Sequence, residues 1–190
     1  MFLNSYQISK VGFKHLGKNI KLSDKATILS PQNISIGDNV RIDDYCVLSG
    51  GSGFVIGSHI HIAVHCSFFA GSGIELADFC QIGPYSLLLS ESDDFSGASL
   101  IGPQVPMKFK PEYKKGKIIM EKYTTLGARS TIIPGVTMHE GSITGAHTLV
   151  IKDCDPWWIY AGVPAKKLKK RKEDMINLAA KFLEEYTCPV

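Results

Sequence analysis

The sequence predicts an all-β chain wound as a parallel β-helix of hexapeptide repeats, with an extruded loop and a C-terminal α-helix. Three observations carry this. First, four consecutive segments align without a gap at a period of 20: LGKNIKLSDKATILSPQNIS from Leu16, IGDNVRIDDYCVLSGGSGFV from Ile36, IGSHIHIAVHCSFFAGSGIE from Ile56 and LADFCQIGPYSLLLSESDDF from Leu76. Second, within each segment an aliphatic or aromatic residue returns every six positions, as in Ile36, Ile42, Leu48 and then Ile56, Ile62, Phe68, with two further residues closing the round. Neither the 3.6-residue period of a helix nor the alternation of an antiparallel sandwich fits this spacing. A coil of three six-residue faces, each stacked on the one below, does fit. Third, the step resumes late in the chain with Met120, Leu126, Ile132, Met138, Thr144 and Val150.

The elements follow in order. Ala26, Cys46, Cys66 and Ser86 fall in one column, four residues after an aliphatic corner, where a narrow interior admits only small side chains. Cys80 shares a column with Ile20, Val40 and Ile60. The five cysteines show no CxxC pair and no metal-ligand spacing, so they read as reduced packing residues. From Ser90 to about Gly116 the hexads stop, and the stretch carries Glu91, Asp93 and Asp94 followed by Pro103, Pro106 and Pro111. A loop that long, stiffened by prolines that cannot join a sheet ladder, suggests a pocket wall. From Asp155 the hexads end, and an amphipathic run from about Lys166 places Leu168, Met175, Ile176, Leu178, Ala179, Phe182 and Leu183 on one helical face. Residues 1–165 are thus expected to form the β-helix domain, and residues 166–190 a C-terminal helix and tail.

A length of 190 residues suits one main domain, and 44% hydrophobic with 21% charged residues is an ordinary globular composition. The net charge is only +3, with the cations gathered from Lys166 to Lys172. Without a nucleic-acid motif, that cluster suits the phosphates of a small cofactor or a solvated surface better than DNA or RNA. No apolar segment reaches the ~18 residues needed to span a bilayer, and the first residues do not read as a signal peptide, so a cytoplasmic location is expected.

The hexads, together with IIPGVTMHEGSITGAHTLVIKDC and IYAGVPAKKLKKR, resemble the hexapeptide-repeat acyltransferases, and among them the galactoside and cell-surface polysaccharide acetyltransferases. The resemblance spans about residues 9–172. It implies a left-handed winding, an exception to the usual right-handed crossover. It also implies a homotrimer with active sites between subunits, acetyl-coenzyme A along the groove, and no metal. A closer resemblance rests on Arg41–Asp44, His61–Ala63, Ser92–Gly97 and Pro103–Pro106. It points to a branch associated with O-antigen and capsule assembly, some of whose members N-acetylate nucleotide-linked amino sugars.

Acetyl transfer from a thioester needs an activated acceptor, a positioned carbonyl and donors for the developing oxyanion. The wider family uses a loop histidine as base, and aligning the coils puts Asp93 at that position. An unperturbed aspartate, with a pKa of about 3.9, is a poor base for a hydroxyl, although burial or Asp94 could raise it. An amine asks less, since it attacks once neutral and loses its proton afterwards, so an amino acceptor is favoured over a hydroxyl. His61 is the rival base, because it precedes the inward Ile62 and points toward the groove. His65, Ser92 and Asp94 are the accompanying substrate contacts. For the donor, the resemblance implies backbone contacts to pantetheine at Gly127, Ala128 and Ala146, flanking contacts at Ile151 and Lys152, and phosphate contacts at Lys166 and Lys169. Turn geometry is the competing account of Gly127, and a solvated surface that of the lysines. Two other functions compete: a zinc enzyme of the carbonic anhydrase type using His61 and His65, and a non-catalytic assembly β-helix.

Overall fold

Each round of the chain lays one short strand on each of three faces, as the hexads require. The computed structural model describes residues 1–187. The first face holds His15–Leu16, Ile34–Ile36, Phe54–Ile56, Ile74–Leu76, Ile118–Met120 and Thr137–Met138. The second holds Lys21–Leu22, Arg41–Ile42, His61–Ile62, Gln81–Ile82, Thr125–Leu126 and Ile143–Thr144, then Trp158–Ala161 and Lys166–Lys170. Thr27–Leu29, Val47–Ser49, Ser67–Phe69, Leu87–Leu89, Thr131–Ile132 and Leu149–Val150 make the third. All three ladders are parallel until the final strand. Ile36 pairs with Ile56, Ile42 with Ile62 and Leu48 with Phe68, an offset of 20. After the loop the offset shortens to 18, with Met120 on Met138 and Ile132 on Val150: the two closing residues have gone while the hexads persist.

Every hexad residue from Ile36 to Val150 named above is buried, and Thr144 takes its place among them. The column of Cys46, Cys66 and Ser86 is buried too, as are Cys80 and Cys154, and these four cysteines are free thiols; Cys188 lies outside the described residues. Phe54 and Phe68 fill the widest part of the interior with ring centroids 5.1 Å apart. Truncating Phe68 to alanine leaves a ring-sized void that stacked backbones cannot close. The expected cost is about 3–5 kcal/mol, read as a lowered urea midpoint at constant slope.

The corners set what lies outside. At the corner between the first and second faces Asn39, His59, Phe79 and Tyr123 are left-handed, and at the corner between the second and third so are Tyr45, His65, Tyr85, Arg129 and His147. Left-handed backbone is costly for such residues, and stacking of successive corner rings offsets part of that cost.

Two features depart from the sequence reading. A short helix α1, Ser5–Lys10, closes the open end of the first coil, with Asn4 and Gln7 forming a reciprocal capping box and Ile8 buried. The Asn4-x-x-Gln7 spacing signals it. The second departure is at the other end. Lys166–Lys170 is an antiparallel strand on Trp158–Ala161, and helix α2 begins only at Met175. Gly162 and Pro164 turn the chain back onto the free edge of the second face, where unpaired backbone groups outweigh helical propensity. Arg171 pins the end of this strand, its guanidinium donating to the carbonyls of Tyr123 at 2.7 Å and Gly141 at 2.9 Å. Leu168 is consequently exposed, while Ala179 is buried and Phe182 packs edge-on against His59 and Phe79. No helix among the described residues is long and apolar enough to cross a membrane.

Candidate active site

The excursion leaves the prism at the corner between the third and first faces. Its base is a two-stranded antiparallel ribbon, Glu91–Ser92 against Lys114–Lys115, so the prolines fall beyond the ladder. Inside the loop, Asp93 accepts hydrogen bonds from the Lys110 ammonium at 2.7 Å and the Gly102 amide at 2.9 Å. The Lys110 side chain is only 4% exposed. Asp94 is buried and tied to its own loop, accepting from the Ser96 amide and hydroxyl and from the Ala98 amide. Ser92, Asp93, Asp94 and Phe95 line a cavity of about 430 Å³ with Leu89, Lys114, Lys115, Ile133 and Pro134. Three of the sequence-predicted residues therefore share one cavity, at the edge of the third face.

Burial opposes the charge on the Asp93 carboxyl but does not prevail. The Lys110 ammonium and then the Gly102 amide hold it below the usual carboxylate value, which makes Asp93 a permanent anion near neutral pH rather than a base. The Asp94 carboxyl is likewise lowered, first by the Ser96 hydroxyl.

His61 is on another face. Its Nε2 lies 2.7 Å from Asp43 Oδ2, and Arg41 Nε donates to Asp43 Oδ1 at 2.7 Å. Burial opposes the charge on Asp43, but the hydrogen bonds from His61 and Arg41 prevail and its carboxyl is lowered. An ionised carboxylate only accepts, so Nε2 carries a proton toward Asp43, and in the neutral imidazole Nδ1 is the nitrogen left with a lone pair. The His61 side chain is 43% exposed. Asp43, which the sequence offers only as part of the Arg41–Asp44 stretch, is buried and orients the imidazole. Position supplies the missed signal, because Ala63 and Gly83 occupy the same place in the next coils and leave room for the carboxylate to lean over. His65 is instead sandwiched at its corner between Tyr45 and Tyr85, at 4.9 and 4.7 Å between centroids. His61 and His65 thus have separate engagements, and among the described residues no group of three His, Cys, Asp or Glu side chains is placed to hold a metal.

These carboxylates also make a pH prediction. Asp43, Asp93, Asp94 and Asp155 all have folded pKa values below the ordinary one. Each therefore contributes stability above the usual carboxylate value that is lost as pH falls through its folded value. The urea midpoint is expected to be nearly flat from about pH 7 to 5 and to drop below about pH 4, with the drop shallower in Lys110→Met.

The donor residues cluster at the far end of the prism. Gly127 and Gly145 follow successive second-face strands, and a Cβ on Gly127 would stand 2.4 Å from the Gly145 carbonyl oxygen. Close stacking of the coils thus requires glycine at 127. Ala128 and Ala146 occupy the adjoining turns, with the His147 amide bonded to the Ala128 carbonyl at 2.8 Å. Ile151, Lys152 and Lys166 line a second cavity of about 360 Å³ with Asp153, Asp155, Tyr160, Pro164, Ala165 and Lys167. Lys169, opposite Ile159, lies outside this lining. Lys167 is part of that lining, ion-paired with Asp155 and 4.6 Å above the Trp158 ring.

No family model matches the chain. It is, however, 35% identical over 182 residues to the dTDP-4-amino-4,6-dideoxy-D-glucose acyltransferase of Escherichia coli, covering 95% of this chain and 94% of that one. The chain is a hexapeptide-repeat acyltransferase. AntD, an N-acyltransferase from Bacillus cereus crystallised with dTDP and 3-hydroxybutyryl-CoA, superposes on this acyltransferase with a TM-score of 0.95 at 42% identity, covering 98% of each. The hexapeptide-repeat acetyltransferase VCA0836 from Vibrio cholerae shares its fold, with a TM-score of 0.62 at 21% identity over 88% of this chain and 76% of that one.

Proposed function

We propose that this acyltransferase moves an acetyl group from acetyl-coenzyme A to the amino nitrogen of a nucleotide-linked amino sugar. The observation that carries this reading is the likeness, along nearly the whole chain, to an enzyme named for acylating dTDP-4-amino-4,6-dideoxy-D-glucose. The proposal places it in the cytoplasm, with the product destined for surface polysaccharide such as O-antigen, as the closer sequence resemblance implies.

The working unit is a homotrimer. Outward positions of the third face include Leu29, Val47, Phe69, Leu87, Leu89 and Leu149 beside the small polar Thr27, Ser49, Ser67 and Thr131, whereas those of the second are Lys21, Arg41, His61, Gln81 and Thr125 before Ile143 and Ile159. Exposed apolar surface of this extent calls for a partner. Three prisms with third faces toward a common axis set each second-to-third corner beside a neighbour's third-to-first corner. That brings the loop of one subunit, with Asp93 and the 84%-exposed Phe95, to the groove that carries His61, His65 and Ala128 on the next.

In that groove Asp93 draws in the ammonium form of the acceptor. After the ammonium has given one proton to solvent, the neutral nitrogen attacks the thioester carbonyl; as the C–N bond forms, His61 Nδ1 takes the second proton that nitrogen must lose. Asp43 stabilises the resulting imidazolium. Collapse breaks the C–S bond, and His61 returns the proton to the departing sulfur. The pantetheine arm lies past Ala128 and Ala146, with Lys152, Lys166 and Lys167 toward the phosphates.

Thiol release tests the reading. Purified enzyme with acetyl-coenzyme A is expected to turn over dTDP-4-amino-4,6-dideoxyglucose at least about a hundredfold faster than its 4-hydroxyl counterpart, because the hydroxyl must be deprotonated before or during attack. Equal or faster release with the hydroxyl sugar makes it an O-acetyltransferase. A parallel arm with 3-hydroxybutyryl-CoA sets the acyl preference.

A further inference from the structure

One column of outward side chains runs the length of the second face. Lys21 is opposite Arg41, Arg41 opposite His61, His61 opposite Gln81 and Gln81 opposite Thr125. Thr125 then meets Ile143, Ile143 meets Ile159 and Ile159 meets Lys169. Neighbouring strands are about 4.8 Å apart, so the column is a ruler. Its C-terminal end is the proposed cofactor end and His61 stands near the middle, which leaves at the N-terminal end Lys21 with no assigned task and Arg41 engaged only through Nε, at Asp43.

From this arrangement we infer that Lys21 and Arg41 seat the diphosphate of a nucleoside diphosphate-linked acceptor. This rests on the proposed function and adds the place where the nucleotide is held. Asn19, Ile20, Lys21, Asn39, Val40 and Arg41 line a cavity of about 550 Å³, and no carboxylate is among them. Helix α2, through Phe182, covers the same corner one and two coils further on, at His59 and Phe79.

The cations are set for an anion. Lys21 is exposed and makes no ion pair among the described residues. Arg41 is fixed at Nε by Asp43 and lies 5.3 Å over the Phe2 ring, so the fork is aimed while its terminal amino groups remain available. The Asn19 amide donates to the Asn39 carbonyl oxygen at 3.0 Å, which fixes the Asn39 amide nitrogen as a further donor into the cavity wall.

Length agrees with charge. Across a pyranose of ~1.5 Å bonds, a 4-amino nitrogen and the phosphorus on the anomeric oxygen are roughly 6 Å apart, between one and two rungs of this ladder. With the amine at His61, the first phosphate falls on Arg41 and the second on Lys21. The two substrates thus enter the groove from opposite ends, each anchored by its own phosphates, with their reacting atoms meeting between.

Calorimetry with dTDP and steady-state kinetics with dTDP-4-amino-4,6-dideoxyglucose test this on the full-length enzyme. Lys21→Met is expected to weaken dTDP binding and raise KM for the nucleotide sugar roughly 10- to 100-fold. KM for acetyl-coenzyme A and the rate with the same amino sugar lacking its nucleotide should stay within twofold. Arg41→Lys should lose part of the affinity and Arg41→Met more. The Lys21 ammonium makes no ion pair among the described residues, so the variant should melt with the wild type. Wild-type dTDP affinity in Lys21→Met, with a functional wild-type enzyme alongside, overturns the inference. A wild-type enzyme that neither binds dTDP nor acylates the amino sugar overturns the proposed function and this inference together.

Discussion

Replacing His61 with alanine lowers kcat by about a hundredfold or more while leaving KM for acetyl-coenzyme A and the oligomeric state unchanged. The magnitude follows from the value of a positioned general base, about 10²- to 10⁴-fold, with an amine acceptor near the low end because its nitrogen attacks without prior deprotonation. The argument rests on geometry. Asp43 fixes the tautomer by accepting from Nε2 at 2.7 Å, and Nδ1 is what remains to take a proton. Asp43→Asn is therefore informative. Its amide can donate to Nε2, which drives the proton onto Nδ1 and disarms the base, so kcat should fall by about tenfold or more without a matching change in KM. Turnover of His61→Ala within threefold of wild type would show that the base is elsewhere. Asp93→Asn should also reduce turnover, chiefly by raising KM for the acceptor, since a carboxylate held low by Lys110 attracts an ammonium but does not take its proton. If neither substitution affects turnover, both assignments fail.

Placing two glutamates on the third face, Val47→Glu with Phe69→Glu, is expected to convert the proposed trimer to monomers and remove activity. Both side chains point away from the prism, because their neighbours Leu48 and Phe68 are the buried hexad residues. The double variant therefore keeps its coils and its circular dichroism. Two carboxylates per chain within an apolar contact cannot be solvated or paired, a cost that a three-way interface does not survive. Loss of the neighbour separates the Asp93 cavity from His61, and misplacement of that size costs at least about a hundredfold in rate. Light scattering at the trimer mass with full turnover would show that subunits meet through another face.

Much of this molecule is legible in the hexads. A six-residue step with a fixed closing length states the number of faces, the register between coils and the identity of the core, because a solenoid repeats one local solution along its axis. The cysteine column, the departure of the loop at Ser90 and the burial of Thr144 among aliphatic residues follow from the same rule. The site was legible in pieces. Ser92, Asp93 and Asp94 do share a cavity, and Ile151, Lys152 and Lys166 another. The place of Lys167 in that lining, and a strand in place of the first turns of a helix at Lys166, were hidden because an unfilled sheet edge decides them.

The sequence by itself therefore determined the prism, its core and the family to which the chain belongs, since all three depend on contacts repeated at a fixed separation along the chain. Only the tertiary structure decided the chemistry of the carboxylates. Asp93 stays ionised because Lys110, 17 residues away, reaches it. Asp43 becomes an orienting partner because the next coil places His61 18 residues later at hydrogen-bond distance. Charge is set by what stands within a few ångströms, and where a side chain ends after the coils have stacked is not written in the period.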